Sequence, residues 1–390
     1  MFRTIRNLIV NIMAAFIRDR DARHKFRNKY KIKSVYKKLL DLNKLLLNEN
    51  EALSSKINSL LNKLDGLNNK YNFKFSHGTI ASCKNFYSSI DSPELTNKYR
   101  NLINGLDSES IDCVSQILGR ITLISQQKLG QEKTARGAID IFTDTELQQL
   151  DKLRKEFRQR IVPLADGCYA YKNYILPLNQ FRPNVFYYRH DIPKLKHLAR
   201  IKDKYFIDAG GCIADSAIVM SEYTSGRIYT FEPTTVNYDM MLKTIELNNS
   251  KNIIPVKQGF GSKNEKLYIK LCPQNYGASK ITSDQSEPQN PDDYEQVSIT
   301  SLDNFVEGKD LDIGLIKVDI EGFEAEFLRG AYNTIKKYRP AMLISIYHNT
   351  SDFFDLKPLI ESWDLGYTFK ISHPVDGGLW GETLLICEQD

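Results

Sequence analysis

At 390 residues, 42% of them hydrophobic, the chain is long enough for about two domains, or for one with sizeable extensions, and apolar enough for a real core. Six cysteines stand apart at 83, 113, 168, 212, 272 and 387 with no CxxC pair, which excludes a disulfide framework or a zinc site and fits a reduced cytoplasmic protein. The net charge of +5 is uneven: residues 1–38 hold twelve Lys or Arg against Asp19 and Asp21, a net of +10, so the rest is net −5 and nucleic acid is not an expected partner.

No window approaches the ~18 apolar residues that span a bilayer, and the run Leu8 to Ile17 is too short and lacks a cleavage site for a signal peptide. Phe2, Ile5, Ile9, Ile12 and Phe16 recur at steps of three and four, so residues 1–30 read as a basic amphipathic helix. Such a helix suits peripheral contact with the anionic inner face of a membrane; packing on its own protein is the alternative. Ile32, Leu39, Leu46, Leu53, Leu60 and Leu67 fall every seven residues, so residues 31–75 read as a coiled coil that would make the protein a homo-oligomer.

Residues 76–165 give helical signals and form a predicted helical subdomain. Ser92-Pro93 marks one helix start, and Thr143 with Glu146 a capping box at another. The segment Tyr169 to Tyr188 is rich in aromatics and prolines; it lines a carbohydrate pocket or, more commonly for such residues, packs in a core. From Tyr205 short apolar strands (YFIDAG, RIYTFE, IIPVK, IGLIKVD, AMLISIY) alternate with helix-length segments, and two last strands lie at Tyr367 to Ile371 and Thr383 to Cys387. This alternation predicts an α/β fold with a doubly wound, mainly parallel sheet and an antiparallel edge hairpin. The polar stretch from Pro273 to Gln296 reads as a lid or as disorder.

In such a sheet ligands bind outside the carboxyl ends of the strands, and this is where the chemistry-bearing residues fall. The first strand ends in Asp208, Gly210 and Gly211, where glycines let the backbone approach a cofactor. Ala214 replaces the last glycine of GxGxxG, which argues against a pyrophosphate-bearing dinucleotide. The second strand ends at Glu232, an acid suited to both hydroxyls of a ribose. Asp208 would lie near a cationic cofactor, so S-adenosylmethionine fits this pair better than nicotinamide. The stretch LIKVDIEGFE puts Asp319 and Glu321 at the end of a further strand, although Glu321 equally reads as a helix cap. LISIY runs directly into His348, the candidate general base because its ordinary pKa lies near neutrality; a structural histidine is the alternative. Asp319, Glu321 and His348 together would also suit a divalent ion such as magnesium.

From about residue 166 to the end, the ordered stretches FIDAGGCIADSA, YTFEPTTVN, SITSLDNF, LIKVDIEGFEAEFLRGA, LISIYHN and GETLLIC resemble the FkbM-type S-adenosylmethionine-dependent methyltransferases, especially members encoded for bacterial surface polysaccharides. The resemblance implies a Rossmann-like, seven-stranded methyltransferase sheet over residues 166–390 and methyl transfer to oxygen, commonly on a sugar. Cofactor contacts are expected at Asp208, Gly210, Gly211, Asp215, Ser216, Glu232, Pro233 and Asn237, and catalytic roles at His348, Asp319 and Glu321. Ala214 departs from the family's frequent second glycine. The acceptor would be a carbohydrate of a surface glycan, or its nucleotide- or lipid-linked precursor, met in the cytoplasm. A dinucleotide-dependent oxidoreductase and a non-catalytic coiled-coil scaffold are the competing functions.

Overall fold

The computed structural model describes residues 77–90, 92–125, 141–271, 280–281 and 293–389. The predicted amphipathic helix 1–30 and coiled coil 31–75 lie outside the described residues. Among the described residues no helix is long and apolar enough to cross a membrane.

The centre is a seven-stranded sheet: β1 Tyr205–Ala209, β2 Ile228–Phe231, β3 Ile253–Val256, β4 Ile313–Val318, β5 Ala341–Ser345, β6 Tyr367–Ser372 and β7 Leu384–Gln389. The spatial order is β6-β7-β5-β4-β1-β2-β3. β1 to β5 pair in parallel, whereas β7 runs antiparallel to both β5 and β6, as the predicted edge hairpin requires. All six residues of β4 are buried, so it reads as a continuous apolar run interrupted only by Lys317. The order changes direction between β1 and β4, and the loops at that point open toward the carboxyl ends of both strands.

Two smaller sheets flank this core. Val162–Pro163, Tyr169–Tyr171 and Tyr174–Leu176 form an antiparallel meander. A four-stranded sheet inserted between β3 and β4 is ordered Gly259–Phe260, Tyr294–Thr300, Glu265–Lys270, Lys280–Ile281. The second corrects the expectation of an irregular stretch up to Gln296: Tyr294 to Gln296 pair antiparallel with Tyr268 to Lys270. The alternation that marks this strand is carried by Val297 and Ile299, which pack with Leu267 and Ile269 in their own small core. Residues 272–279 and 282–292 of the same stretch are outside the described residues.

The N-terminal helices α1 His77–Ile90, α2 Leu95–Ile103, α3 Ser108–Ser125 and α4 Asp144–Glu156 precede the sheet. Thr143 and Glu146 form the predicted capping box. α2 starts at Leu95, with Glu94 at its cap, so the proline of Ser92-Pro93 stands just before the helix and not at its first position. α1 to α3 pack on the sheet's edge and on the helix Thr350–Glu361. Ser110 Oγ accepts from the Ile371 N–H of edge strand β6 at 3.0 Å, Lys98 pairs with Asp355, and Phe86 meets Phe353 edge-on at 5.8 Å. α3 thereby covers an edge strand whose unpaired N–H groups would otherwise invite another chain. The aromatic segment also goes inward: Tyr171, Tyr174, Phe181 and Phe186 are buried, with the Phe181 and Phe186 rings 4.6 Å apart.

Candidate active site

The loop after β1 is shaped by close approach. Gly210 has φ +82°, and a Cβ there would lie 1.9 Å from the Asp319 carbonyl oxygen; at Gly211 it would lie 1.9 Å from Thr230 Oγ1. Both positions therefore require glycine. Ala214, where the sequence lacks the further glycine, adopts φ +64° in the left-handed region, the conformation that glycine favours. It precedes the helix α5 Asp215–Met220.

Beneath this loop a polar row crosses the sheet. Register places Thr230, Asp208 and Lys317 side by side on β2, β1 and β4. Asp208 is fully buried; Oδ2 accepts from Ser216 Oγ and Thr230 Oγ1 at 2.8 Å each, and Oδ1 pairs with Lys317 Nζ at 3.1 Å. Lys317 also donates to the Gly210 carbonyl at 2.9 Å. Burial works against the Lys317 charge, but Asp208, Asp319 and Asp215 hold its pKa above the ordinary value. The sequence pattern assigns Asp208 and Ser216 to the cofactor. In the structure their side chains brace the loop from below, because a buried Lys317 in the neighbouring strand needs a counter-charge. Asp215 is likewise buried and accepts from the Ser216 N–H.

An open cleft lies above, lined among others by Gly210, Cys212, Glu232, Asn237, Asp319 and Glu321. Pro233 and Thr234 complete its β2 side, and Gly259, Phe260 and Ile269 its apolar side. Glu232 accepts from the Thr234 N–H and Oγ1 at 2.9 and 2.5 Å, and Asn237 also bonds to its carboxylate. Burial lifts its pKa to about 7, against the pull of those bonds.

At the other end stand the groups after β4 and β5. Asp319 and Glu321 face the cleft, and Glu321 is in the left-handed region with φ +57°. Helix α6, Glu324–Gly330, begins three residues later and takes no side-chain cap from Phe323. His348 is buried between carboxylates: Nδ1 lies 2.9 Å from Glu324 Oε1, and Nε2 lies 3.3 Å from Asp319 Oδ1 and 3.8 Å from Glu321 Oε2. Burial alone would lower its pKa, but the close Glu324 contact and the charges of Asp319, Glu324 and Glu321 raise it to about 9. This environment counts against a general base at His348. A ring so surrounded is biased toward its protonated form, whereas a base must lack that proton. In that state it fixes Asp319, which also accepts from Tyr347 Oη at 3.1 Å. Burial would raise the Asp319 carboxyl, yet Lys317, His348 and Arg182 keep it below the ordinary value.

Asp319, Glu324 and His348 offer ligand atoms all within 4.8 Å of one another. Glu324 is fully buried and also accepts from the Ile320 N–H at 2.9 Å, so it suits the outer partner of a metal-bound histidine. Glu321 Oε2 stands 3.8 Å from His348 Nε2, beside that group of three rather than within it.

Residues 208–369 match the Methyltransferase FkbM domain family. The chain carries an FkbM-family methyltransferase domain. Methyltransferase 1 of Beauveria bassiana (strain ARSEF 2860) is 26% identical over 189 residues, 44% of this chain and 75% of that protein. Among solved structures, a methyltransferase FkbM from Methylobacillus flagellatus KT is 17% identical with TM-score 0.46, over 75% of this chain and 58% of its own. A Streptococcus mutans protein solved in complex with SAH is 13% identical with TM-score 0.33, over 53% of this chain and 96% of its own.

The FkbM domain fits a sulfonium methyl donor on its own residues: a cleft with a ribose-type acid at one end, acids at the other and a glycine loop between, and no Lys or Arg among the described lining residues to hold a pyrophosphate. Three further ionisable residues are charge neighbours of Asp319. Arg182, from the aromatic segment, faces Asp215, Glu382 and Asp319, whose charges raise its pKa although burial works against it. His190 is buried in a left-handed stretch, Arg189 to Asp191, and burial with Lys317 nearby lowers its pKa to about 4. Glu382, at φ +65° before β7, is held by Asn184 Nδ2 at 2.5 Å; burial and Asp319 lift its carboxyl to about 7. The sequence offers the stretch GETLLIC as a signal for Glu382, whereas nothing local marks Arg182 or His190.

Proposed function

We propose that the FkbM domain transfers a methyl group from S-adenosylmethionine to a hydroxyl oxygen of a carbohydrate, with a bacterial surface glycan or its nucleotide- or lipid-linked precursor as the acceptor. The observation that carries the proposal is one cleft in which Glu232 stands at one end and Asp319 and Glu321 at the other. When bound, the donor supplies an electrophilic methyl on a sulfonium. The chain's own residues do the rest. Glu232 takes the ribose hydroxyls. Asp319, fixed by His348 and Tyr347, orients the acceptor hydroxyl, so that chance encounter is replaced by alignment. Glu382, near neutrality in pKa and anchored by Asn184, is the group matched to receive the hydroxyl proton. The basic amphipathic periodicity and the heptad pattern in the sequence of residues 1–75 support peripheral contact with the inner membrane face and self-association.

The test is transfer of labelled methyl from S-adenosylmethionine to surface-glycan fractions, followed by sugar analysis. The expected result is label recovered as a sugar methyl ether, with the rate reduced about a hundredfold or more by Glu382→Gln. Label found on protein, lipid or nucleic acid instead would overturn the acceptor class.

A further inference from the structure

Arg182 is a partly buried cation among acids. It faces Asp215, Glu382 and Asp319, together with Cys212 of the glycine loop. Two neighbouring cations are already committed: Lys317 to Asp208 and the Gly210 carbonyl, and His348 to Glu324 and Asp319. Arg182 makes no ion pair within 4.0 Å among the described residues, so its planar donor fork is not taken up by a described carboxylate of the chain. A second observation lies beside it. His190 is 5% exposed, and its ring Nε2 has no hydrogen-bond partner among the described residues, although Lys317, Asp208, Asp319 and Arg182 are its charged neighbours. A buried polar atom without a partner points to a group missing from that place.

Cys212 and Asp319, two of Arg182's charge neighbours, line the cleft, which sets Arg182 toward the glycine loop and the β4 acids; Glu232 is not among those neighbours. The ligand end that belongs there must bring an anion to a guanidinium and a cation to several carboxylates in one small space. A zwitterionic α-amino acid does so; a purely anionic acceptor group would meet Asp319 and Glu382 with nothing to offset them.

We propose that Arg182 binds the carboxylate of the methyl donor's amino-acid tail, with the nearby acids facing its ammonium group. This rests on the assignment of the cleft to S-adenosylmethionine. It gives cofactor recognition to a residue that precedes both β1 and the matched segment 208–369.

The test is calorimetry on the full chain with S-adenosylhomocysteine and with 5′-methylthioadenosine, which keeps the nucleoside and thioether but lacks the amino-acid end. Arg182→Gln is expected to weaken S-adenosylhomocysteine roughly 10- to 100-fold, as loss of a charge-assisted contact does, and to change methylthioadenosine less than about twofold. Arg182→Lys keeps the charge among the acids, and so the fold, but not the fork; it should show a smaller loss with the same selectivity. Equal losses for both ligands would overturn the assignment and make Arg182 a brace for the carboxylates. Unchanged affinity for both, with any defect confined to acceptor KM, would overturn it as well. Wild-type protein that binds neither nucleoside would place the failure in the assignment of the cleft to S-adenosylmethionine.

Discussion

His348 should behave as a buried cation rather than as a base, and its titration separates the two. The ring sits within 2.9 Å of Glu324 and 3.3 Å of Asp319, with its pKa raised from 6.5 to about 9. At roughly 1.4 kcal/mol per unit, that difference corresponds to about 3 kcal/mol of folding stability. Since the folded value is the higher one, this stabilisation is complete below pH 6.5 and is lost as pH rises through about 9. Asp352 acts in the same direction at lower pH: burial and Glu324 lift its carboxyl from 3.8 to about 8, so its contribution is complete below pH 3.8 and is lost as pH rises through about 8. The assay is a histidine ¹⁵N NMR titration of chelator-treated protein, alongside denaturant unfolding from about pH 6 to 10. Wild type should lose stability over that range. His348→Gln should be less stable by about 3–5 kcal/mol near neutrality, since it leaves a carboxylate cluster without its cation. Adding manganese should abolish the alkaline titration if the ring takes a metal through Nε2. A His348 ring that titrates near 6.5 without metal, or a variant as stable as wild type near neutrality, would rule out the buried cation.

Three further outcomes are expected. Gly210→Ala must push a methyl into the Asp319 carbonyl, and calorimetry should show donor binding weaker by about tenfold or more, with stability reduced by about 1–3 kcal/mol. Lys317→Met strands a fully buried Asp208; urea unfolding should show a loss of about 3–5 kcal/mol, partly restored by adding Asp208→Asn. Glu232, lifted to about 7, gains a proton as pH falls through neutrality, so donor affinity should decline on acidification through that value in wild type and lose this pH dependence in Glu232→Gln.

The sheet and the position of its cleft are legible in the chain alone. Runs such as IGLIKVD are apolar enough to be buried on both faces, and the acids that follow them can fall only where the chain leaves the sheet. The capping box at Thr143 is legible for a similar reason, since it depends on residues three apart. The inserted sheet around Tyr294 is not, because its strands gain a core only by pairing with Glu265–Lys270. What each charge meets depends on long-range packing. Asp208 and His348 are legible as polar groups at strand ends, but only the register sets Lys317 beside Asp208 and only packing brings Glu324 to His348 Nδ1. Arg182 and Glu382 come together from opposite ends of the domain, a juxtaposition that no local pattern encodes. Local periodicity fixes which face of a strand is buried; the sign and strength of an ionisable group's environment come from partners distant in the chain.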